Sequence, residues 1–136
     1  MSKSGFRSAL AFLPASLYYG LVFYFSSRNI DIPIEAAHAD KGLHLAEFAV
    51  LGILLALGWF RISKPSLKFK AFAVLTSGLV LGVMDELHQL FVPGRNADPL
   101  DALADTLGIA LGLMIYIWWH SRTAKSHERP DAARRS

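Results

Sequence analysis

Apolar residues run in long blocks along the 136-residue chain, and short polar stretches separate them. A helix needs about 20 mostly apolar residues to cross roughly 30 Å of hydrocarbon. Four segments have that length: residues 6–26 (FRSALAFLPASLYYGLVFYFS), 40–60 (DKGLHLAEFAVLGILLALGWF), 69–91 and 99–120. Most of each block lacks the polar stripe that a soluble bundle turns to water. The pattern therefore predicts an all-α, integral membrane four-helix bundle. Pro14 predicts a kink in the first span, of a kind that neighbouring helices tolerate. That span begins basic, but it is long and no small-residue cleavage site follows it, so it reads as a retained helix rather than a signal peptide. One domain, residues 1–120, carries the spans, and residues 121–136 form a basic tail expected to be disordered.

Composition strengthens this reading. Charged residues make up 18% of the chain against 53% hydrophobic, with a mean hydropathy of +0.34; a soluble domain carries about a quarter charged residues. Trp59, Trp118 and Trp119 fall near span ends, where interfacial aromatics belong. The absence of cysteine removes disulfides, zinc–thiolate clusters and thiol nucleophiles.

Charge adds an orientation. Lys3, Arg7, Arg61, Lys64, Lys68, Lys70, Arg122, Lys125, Arg129, Arg134 and Arg135 lie on one side of a four-span arrangement, and only Arg28, Lys41 and Arg95 on the other. Cytoplasmic loops carry the excess of Lys and Arg, so both termini are expected in the cytoplasm. The pI near 9.4 then reflects membrane topology, and no nucleic-acid partner is expected.

The acids take the opposite side: Asp31, Glu35, Asp40, Glu47, Asp85, Glu86, Asp98, Asp101 and Asp105, with only Glu128 and Asp131 in the tail. Residues three, four and seven apart share a helix face. Asp40, His44 and Glu47 align on the second span, Asp85, His88 and Gln89 on the third, and Asp98, Asp101 and Asp105 on the fourth. Gly78 and Gly82 (GLVLG) continue the third stripe, and Gly108 and Gly112 (GIALG) the fourth. Such small-xxx-small patterns let helices approach closely in lipid, so the acids should face the bundle interior. An intramembrane charge costs roughly 2.5–3.5 kcal/mol at a helix centre. Glu47, Asp105 and Asp85 therefore call for a partner, a proton, a metal or a water-filled cavity. Asp98 before Pro99 and Asp101 also has the form of a helix start, and Pro93–Gly94 that of a tight reversal. His44 and His88 could equally serve as hydrogen-bonding groups inside the bundle. Glu86, off the Asp85 face, reads as solvated or paired with Arg95, and Lys41 as a lysine snorkelling to the interface or touching ligand.

The motifs DKGLHLAEFAVLG, DELHQLFVPGR and DALADTLGIALG resemble the VanZ-like family of small bacterial membrane proteins. The family pattern falls on Asp40, Lys41 and His44; on Asp85, Glu86, Gln89, Phe91, Pro93 and Arg95; and on Asp101, Asp105 and Gly108. The resemblance implies a cell-membrane location in bacteria and, from the family's namesake, a link to teicoplanin resistance. Its mechanism is not implied.

The leading expectation is an outward-facing polar pocket that binds a cell-envelope ligand, either a lipid head group or a wall precursor. Its candidate residues are Asp40, Lys41, His44, Glu47, Asp85, Glu86, His88, Gln89, Arg95, Asp101 and Asp105. Arg95 and Lys41 would hold a phosphate or carboxylate. A second possibility is a metal-assisted intramembrane enzyme, with His44, Glu47, Asp85 and His88 as candidate ligands for a divalent cation. No hydrolase motif such as His-Glu-x-x-His supports it. A third is an ion- or proton-coupled carrier, for which four unbroken spans would need an oligomer. A fourth is an assembly subunit without chemistry of its own.

Overall fold

The computed structural model describes residues 8–28, 37–62, 65–95 and 97–132, with side chains through residue 123 and, on the second helix, from residue 41. Four helices follow one another: α1 (Leu13–Ser26), α2 (Ala37–Arg61), α3 (Leu67–Gln89) and α4 (Pro99–Ala132). There is no strand among the described residues. Four stretches are long and apolar enough to cross a membrane: Ser8–Ser26, Lys41–Arg61, Leu67–Gln89 and Pro99–Thr123.

Two local expectations change. Pro14 does not kink the interior of a helix; it stands in the first turn of α1, where its missing N–H leaves no hydrogen bond unmade. A separate helical turn at residues 8–10 precedes it. The basic tail, expected to be disordered, continues α4 as helix to Ala132. Ala124, Lys125 and Glu128 are helix formers that prolong it.

Side chains are distributed as lipid requires. Leu17, Phe72, Leu103, Met114 and Trp118 point outward, and a small core of Phe48, Leu51, Leu55, Val74, Ile109 and Leu113 lies within. Lipid tails offer no hydrophobic drive between helices, so backbone approach has to provide the cohesion. α2 and α4 form the most extensive pair, α3 packs on both, and α1 lies along α2 and α3.

Glycine makes the α2–α4 approach possible. A Cβ on Gly108 would stand 2.5 Å from the Leu45 carbonyl oxygen and 3.0 Å from the Ala49 nitrogen. One on Gly112 would collide with the Ala49 carbonyl. Gly52 of α2 returns the contact, with the Ile109 carbonyl 2.6 Å from its would-be Cβ. Gly78 receives the Ile109 side chain, and Gly82 leaves room for Asp105.

The α3–α4 reversal follows its sequence. Gly94 adopts φ 81°, in the left-handed region open to glycine. Asp98 then caps α4: its Oδ1 accepts from the Leu100 N–H at 2.9 Å, with Pro99 opening the helix. The N-terminal halves of α2 and α4 thereby meet the C-terminal ends of α1 and α3 at one end of the bundle.

Candidate functional site

That end holds the buried polar side chains among the described residues: Ser26, His44, Asp85, Glu86, Gln89, Asp101 and Asp105. Each of the four helices contributes at least one. They form three connected groups.

The first joins α1 to α3. Ser26 Oγ donates to Asp85 Oδ2 at 3.1 Å, and Gln89 Nε2 donates to the same oxygen at 3.0 Å and to Ser26 Oγ at 3.2 Å. The second joins α2 to α4, with His44 Nδ1 3.0 Å from Asp105 Oδ1. The third lies nearer the end of the bundle, where Lys41 Nζ donates to Asp98 Oδ2 at 2.6 Å and to Asp101 Oδ1 at 2.8 Å. Asp98 lies outside the spans. The Lys41 ammonium, aided by the Leu100 N–H, holds its carboxyl below the usual carboxylate range. Glu86 stands between these groups, and its Oε2 accepts the Asp98 backbone N–H at 2.9 Å.

One oxygen of each deep carboxylate is left over. Asp85 Oδ1, Glu86 Oε1 and Asp105 Oδ2 are buried without a hydrogen-bond partner, as is Arg95 Nε. Asp85, Glu86 and Asp105 are 1%, 7% and 0% exposed. Buried polar atoms are normally satisfied, so three such oxygens at one end of a bundle require an explanation. Ligand atoms of His44, Asp85 and Glu86 lie within 4.8 Å of one another.

Beside this cluster, Val83, Glu86, Leu87, Leu90, Ala97, Pro99 and Ala102 line a groove of about 220 Å³ between α3 and α4. Its walls are apolar except for Glu86.

The candidates from the sequence separate accordingly. His44, Asp85, Glu86, Gln89, Asp101 and Asp105 come together inside the bundle. Lys41 bridges two carboxylates at the start of α4. Glu86 is neither solvated nor bonded to Arg95, because the start of α4 closes over it. Glu47 is half-buried and within electrostatic reach of Tyr18 on α1. His88 stacks on Phe23 with ring centroids 4.0 Å apart and meets Ser27 Oγ through Nε2 at 2.8 Å. Neither Glu47 nor His88 belongs to the close group of His44, Asp85 and Glu86. The Asp40 side chain lies outside the described residues. Ser26 was not singled out from the sequence. The only hint was a polar Ser26–Ser27 pair closing the first span at the acid-bearing end.

The motifs that build this end are the ones that carry the family resemblance, and a family model described as VanZ/LLP1 matches residues 2–120. The chain belongs to the VanZ/LLP1 family. It is a multi-pass membrane protein of that family, with four apolar helices. No curated protein and no solved structure matches the chain. Within this VanZ/LLP1 member, the family motifs on α2, α3 and α4 supply His44, Asp85, Glu86, Gln89 and Asp105, and α1 adds Ser26.

Proposed function

We propose that this VanZ/LLP1 member binds an envelope lipid at the polar end of its bundle, with that end facing out of the cell and both termini in the cytoplasm. The observation that carries the reading is the set of three buried carboxylates, each keeping one oxygen without a partner, beside an apolar groove. An unpartnered buried polar atom costs roughly 1–3 kcal/mol, more when charged. A fold that keeps three of them gains from a ligand that meets them. The groove suits hydrocarbon, and Glu86 joins it to the cluster, so a ligand with an apolar chain and a head group bearing donors or a cation fits both parts.

The lipid class follows from this division. A free sugar or peptide would have no use for Leu87, Leu90 and Ala102 on the groove wall, whereas a phospholipid or lipid-linked wall precursor would. Lys41 is committed to Asp98 and Asp101, so it is not a free phosphate clamp. Arg95, half-buried with an unpartnered Nε, remains the basic group for one. A protein holding a lipid-linked precursor at the outer face would also bear on glycopeptide tolerance, the property attached to the family's namesake.

Native mass spectrometry of the detergent-released protein tests the reading. Wild type should retain a polar lipid through collisional activation. Leu87→Trp, which fills the groove from its exposed wall, should lose it while keeping its helix content. Equal retention by both, or none by either, would count against lipid binding at this site.

A further inference from the structure

We infer that His44, Asp85 and Glu86, supported by Asp105, form a binding site for one divalent metal ion of the manganese or zinc class. The inference rests on the proposal that this end of the bundle is a binding site, and it names what supplies positive charge there.

The donor atoms stand close together. One ligand atom from each of His44, Asp85 and Glu86 can be chosen so that all lie within 4.8 Å of one another. Ligands about 2.1 Å from an ion stand at most about 4.2 Å apart, so small side-chain rotations would close the set. The residues come from two helices, α2 and α3, so the ion would tie them together.

The cluster is more than a collection of acids because of its unpartnered oxygens. Asp85 Oδ1 and Glu86 Oε1 are buried on side chains at least nine-tenths shielded, and no protein donor reaches either. Their second oxygens are already held, by Ser26 and Gln89 in one case and by the Asp98 N–H in the other. Each carboxylate is thus held through one oxygen, while its other oxygen is buried without a partner. His44 is oriented through Nδ1 by Asp105. Metal-ligating histidines characteristically carry a carboxylate on the ring nitrogen that does not face the ion.

Charge requires compensation at the same place. Asp85, Glu86 and Asp105 have no Lys or Arg partner among the described residues; Lys41, at the same end of the bundle, is engaged by Asp98 and Asp101. Buried charges are paired or coordinate metals. A nitrogen donor beside carboxylates favours manganese or zinc over calcium, which takes all-oxygen sets. An ion here would also draw a lipid phosphate to an otherwise acidic site.

The test is calorimetric titration of chelator-stripped full-length protein in detergent with Mn²⁺ and Zn²⁺, with Ca²⁺ as the contrast. The expected result is one site per chain for Mn²⁺ or Zn²⁺ and at least tenfold weaker binding of Ca²⁺. Glu86→Gln and Asp85→Asn should lower affinity at least tenfold, and Gly20→Ala, whose added methyl meets nothing within 4 Å, less than threefold. Co²⁺ added to wild type should give visible d–d absorption, a readout independent of whether the variants fold. No heat and no Co²⁺ spectrum would overturn the site, as would equal affinity in Glu86→Gln and wild type. Lipid retention without metal binding would sink the metal and leave the lipid reading standing; metal binding without lipid retention would do the reverse.

Discussion

Glu86→Gln separates a side chain kept for binding from one kept for folding. In wild type, Glu86 Oε2 accepts the Asp98 N–H and Oε1 has no partner. Ligand atoms of Asp85 and Glu86 stand no more than 4.8 Å apart. Two unit charges at that distance repel by about 3.5 kcal/mol at an effective dielectric of 20. A neutral amide accepts the Asp98 N–H less strongly than a carboxylate, which offsets some of this, so a net gain of about 1–2 kcal/mol is the expectation for neutralising one of them. Gln keeps an oxygen for the Asp98 N–H and places an N–H₂ where the unpartnered oxygen stood. In chelator at pH 8, Glu86→Gln should therefore melt higher than wild type, by roughly 3–8 °C for a chain of this size. With saturating Mn²⁺ the order should reverse, because only wild type gains binding energy. The assay is thermal unfolding in detergent, followed by tryptophan fluorescence, with and without metal. A melting temperature lowered by the substitution in both conditions would refute the reasoning, since Glu86 would then be a structural acceptor.

Further outcomes follow from the packing and the caps. Gly108→Ala presses a methyl onto the Leu45 carbonyl and should cost at least about 2 kcal/mol through forced separation of α2 and α4. Gly20→Ala and Gly42→Ala meet nothing within 4 Å and should be neutral or stabilising by up to about 1 kcal/mol; detergent melting curves compare the three. Asp98→Asn should remove one of the two Lys41 ion pairs while retaining a capping oxygen. Because the folded-state carboxyl of Asp98 is held below the usual range, its contribution is fully present above the ordinary carboxylate pKa and fades as pH falls through the depressed value. The stability gap between Asp98→Asn and wild type should therefore be present at pH 7 and shrink once the pH falls below the ordinary carboxylate range. Gln89→Leu withdraws a donor from Asp85 Oδ2 and from Ser26, and its melting point should fall by an amount equivalent to about 1–3 kcal/mol. The native chain has no cysteine, so Ala97→Cys and Ser121→Cys report sidedness cleanly. An impermeant thiol reagent applied to intact cells should label the first and not the second.

Span length and the small-xxx-small patterns made the helices legible, because crossing lipid fixes both how long an apolar run is and where backbones touch. Gly108 and Gly112 lie on the α2 contact and Gly82 beside Asp105. Helix-face arithmetic also brought His44, Asp85, Gln89 and Asp105 inward. It failed where a helix face is divided between neighbours. Glu47 follows His44 by three residues, about 60° around the helix, and that offset takes it into reach of Tyr18 on α1. Glu86 was placed off the buried face, yet the reversal through Gly94 folds Asp98 over it. No periodicity within α3 carries that information. Ser26 was passed over because a serine ending an apolar run reads as an interface residue, and only the packing of α1 on α3 gives it Asp85 as an acceptor.

The most direct test of a lipid site at this end of the bundle is photo-crosslinking in living cells. A photoreactive side chain replaces Leu90 on the groove wall in one strain and Met114, exposed further along α4, in another. Adducts at position 90 should be dominated by one lipid class that is rare at position 114 and lost when Leu87→Trp is added. The same bulk lipid mixture at both positions would contradict a dedicated lipid site.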